Sequence, residues 1–163
     1  MAEGGRSFDV ASVGVSVLAH ATENEDKVER AVRNLFPEGA GEFRLKRQRL
    51  SGYHKDPIAL ITTHIKKRRG AVRTFCYIIG LLSPLDQQRL LDELEDRVDE
   101  AGNLYIRLDK QKAFRGEGAL KEIDSIRFKF GFRVPHGRPP LEYIESVIVS
   151  LIEDGSGRQA GLE

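Results

Sequence analysis

The sequence is poor in residues that make covalent or metal cross-links. It contains one cysteine, Cys76, and four scattered histidines. A single cysteine excludes an internal disulfide and a zinc site built from several cysteines. The apolar neighbours of Cys76 favour a place in the core. We therefore expect no metal site and no other cofactor.

Long apolar runs and a strong net charge are also lacking. No run reaches the roughly 20 residues of a membrane-spanning helix, and residues 1–7 lack a hydrophobic signal core. We therefore expect a cytoplasmic protein without a membrane partner. The formal net charge is +1, so total charge favours no class of partner. The sequence contains no His-Glu-x-x-His motif, phosphate-binding loop or nucleophile elbow, and we assign no catalytic residue.

The charges are unevenly distributed along the chain. Residues 42–73 contain ten basic side chains and two acidic ones, whereas residues 84–100 contain seven acidic and two basic side chains. Such asymmetry predicts a polarised surface with a basic face that could meet phosphate. The sequence Lys66-Lys67-Arg68-Arg69 lies in the basic part, where phosphate contact competes with a simple solvated strand end.

An acidic cluster closes the helix predicted before Gly102. It comprises Asp96, Asp99 and Glu100, whose charge is unfavourable at a helix C-terminus. A metal site formed with Asp109 is one interpretation. Ion pairing with Arg97 or another basic side chain is the interpretation we favour.

Hydrophobic periodicity predicts a single α+β domain over residues 8–153, between two polar tails, 1–7 and 154–163, that we expect to be disordered. Thr22 is the expected cap of the first helix. The predicted elements are strand 8–20, a helix after Thr22, strands 43–50 and 58–67, helices 70–82 and 83–102, strands 104–108 and 125–134, and helix 141–152. This order, β-α-β-β-α-α-β-β-α, predicts a mainly antiparallel sheet with helices packed on one face. A helix beginning at Pro57 is the alternative to the third strand.

The other face of such a sheet is left to water. If residue 45 lies opposite residue 63, the hairpin is apolar on one side and basic on the other. The open face would then carry Arg44, Lys46, Tyr105, Arg107, Arg127, Lys129 and Arg133. Cations engage phosphates and Tyr105 offers a stacking plane, so the pattern favours RNA. A solvated face that binds nothing is the competing interpretation.

The segment 102–116 changes character along its length. Leu104, Ile106 and Leu108 alternate with Tyr105 and outward polar residues, as in a half-buried strand. The following tract, 109–116, is polar and basic, and sheet formation alone does not require it. We therefore expect RNA contact at this strand end, with Asp109 orienting a basic neighbour.

Three stretches, 52–58, 97–107 and 108–116, carry a family resemblance. They read Gly-Tyr-His-Lys-Asp-Pro-Ile, Arg-Val-Asp-Glu-Ala-Gly-Asn-Leu-Tyr-Ile-Arg and Leu-Asp-Lys-Gln-Lys-Ala-Phe-Arg-Gly. The chain resembles an archaeal family of predicted RNA-binding proteins associated with the RNA exosome, although Lys55-Asp56 replaces the usual Gly-Asn. The resemblance implies a fold similar to the ribosomal large-subunit protein that binds five-S ribosomal RNA. It also implies structured or ribosomal RNA and exosome subunits as partners.

Three functions remain in competition. The first is a non-catalytic RNA-binding protein, with further contacts from Tyr53, His54, Lys66, Lys67, Arg68, Arg69, Lys110, Gln111 and Arg115. The second is a protein-interaction module, present as a monomer or homodimer. The third is a metal-assisted nuclease using the acidic cluster, and the missing catalytic motifs make it the weakest.

Overall fold

The computed structural model describes residues 8–51 and 57–162. The predicted RNA contacts Tyr53 and His54 lie outside them, as does the predicted tail 1–7. Within the described residues the chain forms five strands, six α-helices and one 3₁₀ turn, Glu38–Ala40. The strands are β1 (Val10–Ala19), β2 (Lys46–Ser51), β3 (Pro57–Ile65), β4 (Asn103–Asp109) and β5 (Ser125–Phe132). The helices are α1 (Glu25–Asn34), α2 (Arg68–Leu81), α3 (Pro84–Asp92), α4 (Leu94–Arg97), α5 (Lys110–Phe114) and α6 (Pro140–Leu162).

The strands make one antiparallel sheet in the order β2-β3-β1-β5-β4. The predicted α+β class is therefore confirmed. Pro57 opens a strand, not a helix. Lys46 lies opposite Thr62, the same register as the assumed pairing of residues 45 and 63. The predicted division of the hairpin holds for Lys46 but fails for the other two basic residues of β2, because Arg47 and Arg49 lie opposite the buried Ile61 and Ala59 on the apolar side.

The core lies between one face of the sheet and the helices. Inward residues of β5, Phe128 and Phe130, are fully buried, and Phe75 of α2 packs edge-on against Phe130 at a ring separation of 5.0 Å. α1 contributes Val28 and Val32 to the same cluster. Burial of each such side chain stabilises the fold by roughly 2–3 kcal/mol, so the apolar alternation fixes which sheet face the helices cover.

Local structure departs from the predicted helix boundaries in three places. Asn24, not Thr22, caps α1, because its Oδ1 accepts from the backbone N–H of Asp26 at 2.9 Å. The predicted helix 83–102 breaks at Glu93 into α3 and α4. Gly102 is therefore not a helix cap. It adopts φ +86° in the turn before β4, a left-handed conformation that favours glycine.

α6 runs to Leu162, past the predicted boundary at residue 153. Among the described residues, no helix combines the length and the apolar character needed to span a membrane.

Candidate nucleic-acid interface

The outer face of the sheet carries a row of side chains that crosses all five strands. Strand pairing aligns Lys46, Thr62, Ser16, Arg127 and Arg107 from one edge to the other. Within the strands that the structure describes, Asp109 is the single carboxylate. The row therefore presents cations and hydroxyls with almost no opposing charge.

A second row of outward residues lies two positions along each strand from the first, and its central member has no side chain. It aligns His64, Gly14, Lys129 and Tyr105. Gly14 is close to the imidazole of His64, because a Cβ there would lie 3.1 Å from His64 Nε2. At the centre of the open face β1 therefore contributes only the small residues Gly14 and Ser16. The longer basic side chains lie on the strands to either side of β1.

Tyr105 is held in a fixed orientation on this face. The guanidinium of Arg127 lies 4.8 Å from the ring centroid, and the hydroxyl donates to Asp99 Oδ2 at 3.1 Å. Burial acts to raise the pKa of the Asp99 carboxyl, but donors from Asn103, Tyr105 and Ala101 lower it overall. A pre-oriented Tyr–Arg pair is a suitable platform for a planar base.

Three cations on the open face are unpaired, unlike Arg47 and Lys110, which form ion pairs. The exposed side chains of Lys46, Arg107 and Lys129 form no ion pair or side-chain hydrogen bond with any described residue. Arg44 and Arg133 are exposed as well. These five side chains, together with Arg127, are the basic face referred to below.

The basic tract 66–69 forms the start of α2, whereas the sequence predicted a strand end. Lys66, Lys67 and Arg69 are exposed, and no side chain caps the helix. Arg68 already forms an ion pair within the protein, since its Nε donates to Asp9 Oδ1 at 2.8 Å. Positive charge at an uncapped helix N-terminus is unfavourable in isolation and favours an anion nearby.

The first two residues of the tract 109–116 serve the fold, contrary to our expectation. Asp109 caps α5 by accepting from the backbone N–H of Gln111 at 2.8 Å, so it does not orient Lys110. Lys110 is buried, and its ammonium donates to Leu18 O at 2.6 Å. Gln111 and Arg115 lie beside α1 in a separate groove of about 350 Å³. The structure does not bring these residues together with the basic face.

Among the described residues, one cluster of side chains could ligate a metal, and the Lys110 ammonium lies against two of its members. His20, Glu23 and Asp124 place ligand atoms within 4.8 Å of one another. Lys110 Nζ lies 2.7 Å from Asp124 Oδ1 and 3.1 Å from Glu23 Oε1. The hydrogen bond from Lys110 to Asp124 lowers the pKa of the Asp124 carboxyl. A cation of the protein itself therefore balances the group.

The predicted pairing of the acidic cluster with Arg97 or another basic side chain is wrong, because Asp96, Asp99 and Glu100 form no ion pair with any described residue. Arg97 is buried and binds Glu93 Oε1 at 2.7 Å and Glu122 Oε1 at 2.5 Å. The hydrogen bond from Arg97 lowers the pKa of the Glu93 carboxyl most, and the hydrogen bond from Arg89 lowers it further. Asp99 instead accepts a hydrogen bond from the backbone N–H of Asn103 in the turn before β4. Asp109 is not part of this group, because it caps α5. The partner Glu122 lies 25 positions away in a loop, and no sequence signal identified it.

These features define an α+β protein whose antiparallel sheet is covered by helices on one side and exposes a cationic face on the other. Residues 12–132 match the model of the family described as RNA binding. The match covers most of the chain, and the chain belongs to this RNA-binding family.

Two relatives and one solved structure are similar to the chain. The chain is 34% identical over 117 residues to RNA-binding protein PAB1135 of Pyrococcus abyssi, covering 71% of this chain and 76% of that protein. It is 31% identical over 144 residues to the uncharacterized protein MJ0213 of Methanocaldococcus jannaschii, covering 85% and 95%. The crystal structure of protein AF2318 from Archaeglobus fulgidus superimposes with a TM-score of 0.74 at 29% identity, covering 85% and 99%. The likeness to the five-S-rRNA-binding ribosomal protein stays a prediction.

Proposed function

We propose that this protein is a non-catalytic RNA-binding protein that contacts RNA through the basic face. The observation that carries the proposal is the row of cations and hydroxyls across five strands that contain a single carboxylate. Membership of the RNA-binding family and the similarity to a relative of that name support RNA as the ligand.

The contacts expected on this face are of two kinds. Lys46, Arg107 and Lys129 are exposed and unpaired within the described residues, so phosphates can replace water around them. Adjacent strands lie about 4.8 Å apart, so the row from Lys46 to Arg107 spans about 19 Å. Tyr105 and Arg127 add a planar surface for a base. Phosphate contacts supply most of the affinity, and stacking favours single-stranded or looped RNA.

Lys66, Lys67 and Arg69 extend the proposed surface. These residues lie between the end of β3 and the first turn of α2, whose N-terminus has no side-chain cap and favours an anion. We leave Lys110 out, because its ammonium already has a carbonyl and two carboxylates around it. Tyr53 and His54 stay predicted contacts.

The test is a fluorescence-anisotropy titration of labelled structured and single-stranded RNA at several salt concentrations. We expect log affinity to fall with log salt by about 0.7–0.9 for each phosphate neutralised. Arg107→Glu with Lys129→Glu should weaken binding at least about tenfold and flatten the slope. The matched control is Arg30→Glu with Lys112→Glu, which makes the same charge change at exposed sites of α1 and α5. Equal affinity of the two folded double variants would remove the basic face as the site.

Association with exosome subunits is a finer proposal that rests on the family resemblance. A free sheet edge is available for contact, because β2 pairs on one side only among the described residues. Capture of the tagged protein from its source cell, followed by mass spectrometry, should recover exosome subunits after nuclease treatment. Recovery of none would contradict the association, and light scattering would distinguish monomer from homodimer.

A further inference from the structure

A pocket of about 540 Å³ opens beside the basic face at the β4 edge of the sheet. Tyr105, Arg107 and Arg127 line it from the sheet, and Asp96 and Arg97 line it from α4. Three of these residues belong to the proposed RNA surface, so an RNA strand lying on the face passes the pocket. The volume is in the range of small-ligand sites, which runs from roughly 300 to 1,000 Å³.

The charges in the pocket differ from those of the open face. Glu93 and Glu122 also line it, and both accept hydrogen bonds from Arg97. Asp96 is exposed and forms no ion pair or side-chain hydrogen bond with any described residue. The lining holds three carboxylates and four arginines, so its charges nearly cancel, whereas the open face is cationic. A neutral ligand with hydrogen-bond donors fits this lining better.

One arginine that lines the pocket is almost fully buried. Arg97 is 7% exposed, and its Nε is buried without a hydrogen-bond partner. Buried polar atoms in folded proteins nearly always have a partner. The pocket lining combines a free carboxylate, arginine donors and the Tyr105–Arg127 platform, the kinds of group that recognise the edges and faces of a nucleobase.

We propose that this pocket takes one unstacked guanine base of bound RNA, an inference that rests on the proposed RNA-binding function. Guanine presents two adjacent donors, N1–H and N2–H, which a single carboxylate such as that of Asp96 accepts together. Its O6 and N7 accept from an arginine, for which Arg107 is placed in the same lining. The base plane stacks on Tyr105 and Arg127. Adenine would instead turn the acceptor N1 towards the carboxylate, so the lining discriminates against it.

The experiment measures the affinity of short oligouridylates that carry one central guanosine, inosine or adenosine. For the unmodified protein we expect guanosine to bind about tenfold more tightly than adenosine, and inosine, which lacks the N2 amino group, to fall between them. Asp96→Asn should abolish the preference for guanosine while the all-uridine oligomer binds at least as tightly as before. The control is Glu95→Gln, a neighbouring exposed carboxylate outside the pocket lining, which should leave the preference intact.

Two results separate failure of this inference from failure of the proposed function. If all oligomers bind with equal affinity, or if Asp96→Asn keeps the guanosine preference, the guanine pocket is refuted and RNA binding stands. If the protein binds no oligomer and no structured RNA, both are refuted. Circular dichroism of the Asp96 variant checks its fold, and its exposed position predicts an unchanged spectrum.

Discussion

Lys46 and Arg47 are neighbours on β2, yet they serve different parts of the molecule. Arg47 points to the helical side, where its guanidinium is held by Glu25, Asp26 and Glu29 of α1. Lys46 points to the open side and forms no ion pair with a described residue. The strand pleat alone produces this separation. Arg47 thus ties β2 to α1, whereas Lys46 keeps its charge available for a ligand.

Replacement of Lys110 by methionine should cause the largest loss of stability. The ammonium links the end of β1, the residue before the α1 cap and Asp124, and its removal leaves two carboxylates close together. We expect the free energy of unfolding to fall by about 3 kcal/mol, as measured by urea denaturation. RNA affinity should stay unchanged.

Lys112→Met is the matched control, because Lys112 is exposed on the same short helix. Its effect on the free energy of unfolding should stay within about 0.5 kcal/mol. If Lys110→Met costs no more than this control, the ion-pair network does not stabilise the fold.

A pair of alanine substitutions on β2 sharpens the comparison at adjacent positions. Lys46→Ala should weaken RNA binding about threefold and lower the salt slope by about 0.7–0.9, since one phosphate contact is lost. Its stability should not change. Arg47→Ala should cost about 1 kcal/mol in the free energy of unfolding, because a partly exposed network is lost. Its RNA affinity should not change, and the opposite pattern would refute the division of the two faces.

Acid should weaken the charge network on the helical side. The pKa of Asp124 is lowered by Lys110, so its ionised form stabilises the fold above the unfolded-state pKa of about 3.8. That contribution is lost as the pH falls from about 5 through the lowered pKa. Because Asp124 is half-exposed, we expect less than about 1 kcal/mol.

Urea denaturation at pH 7 and pH 3 checks this for the unmodified protein and Asp124→Asn. The variant should be the less stable of the two at pH 7, and the difference should shrink at pH 3. A constant difference would contradict the assigned role of Asp124.

The sequence predicted the sheet well and the network poorly, for a physical reason. Alternation with period two in β4 and β5 reflects burial on one face, so Phe128 and Lys129 could be placed on opposite sides without a structure. The partners of Lys110 come from positions 14, 87 and 92 residues away. No local pattern encodes such contacts, and the sequence alone therefore predicts that the tract 109–116 is surface available for RNA.

The most direct test of the central claim is photocrosslinking of the protein to 4-thiouridine-containing RNA, with the crosslinked peptides located by mass spectrometry. The account predicts crosslinks in β2, β4 and β5 at outward residues such as Lys46, Tyr105 and Lys129. Crosslinks confined to α1 and α5, on the side where Arg47 and Lys110 are already paired, would contradict it.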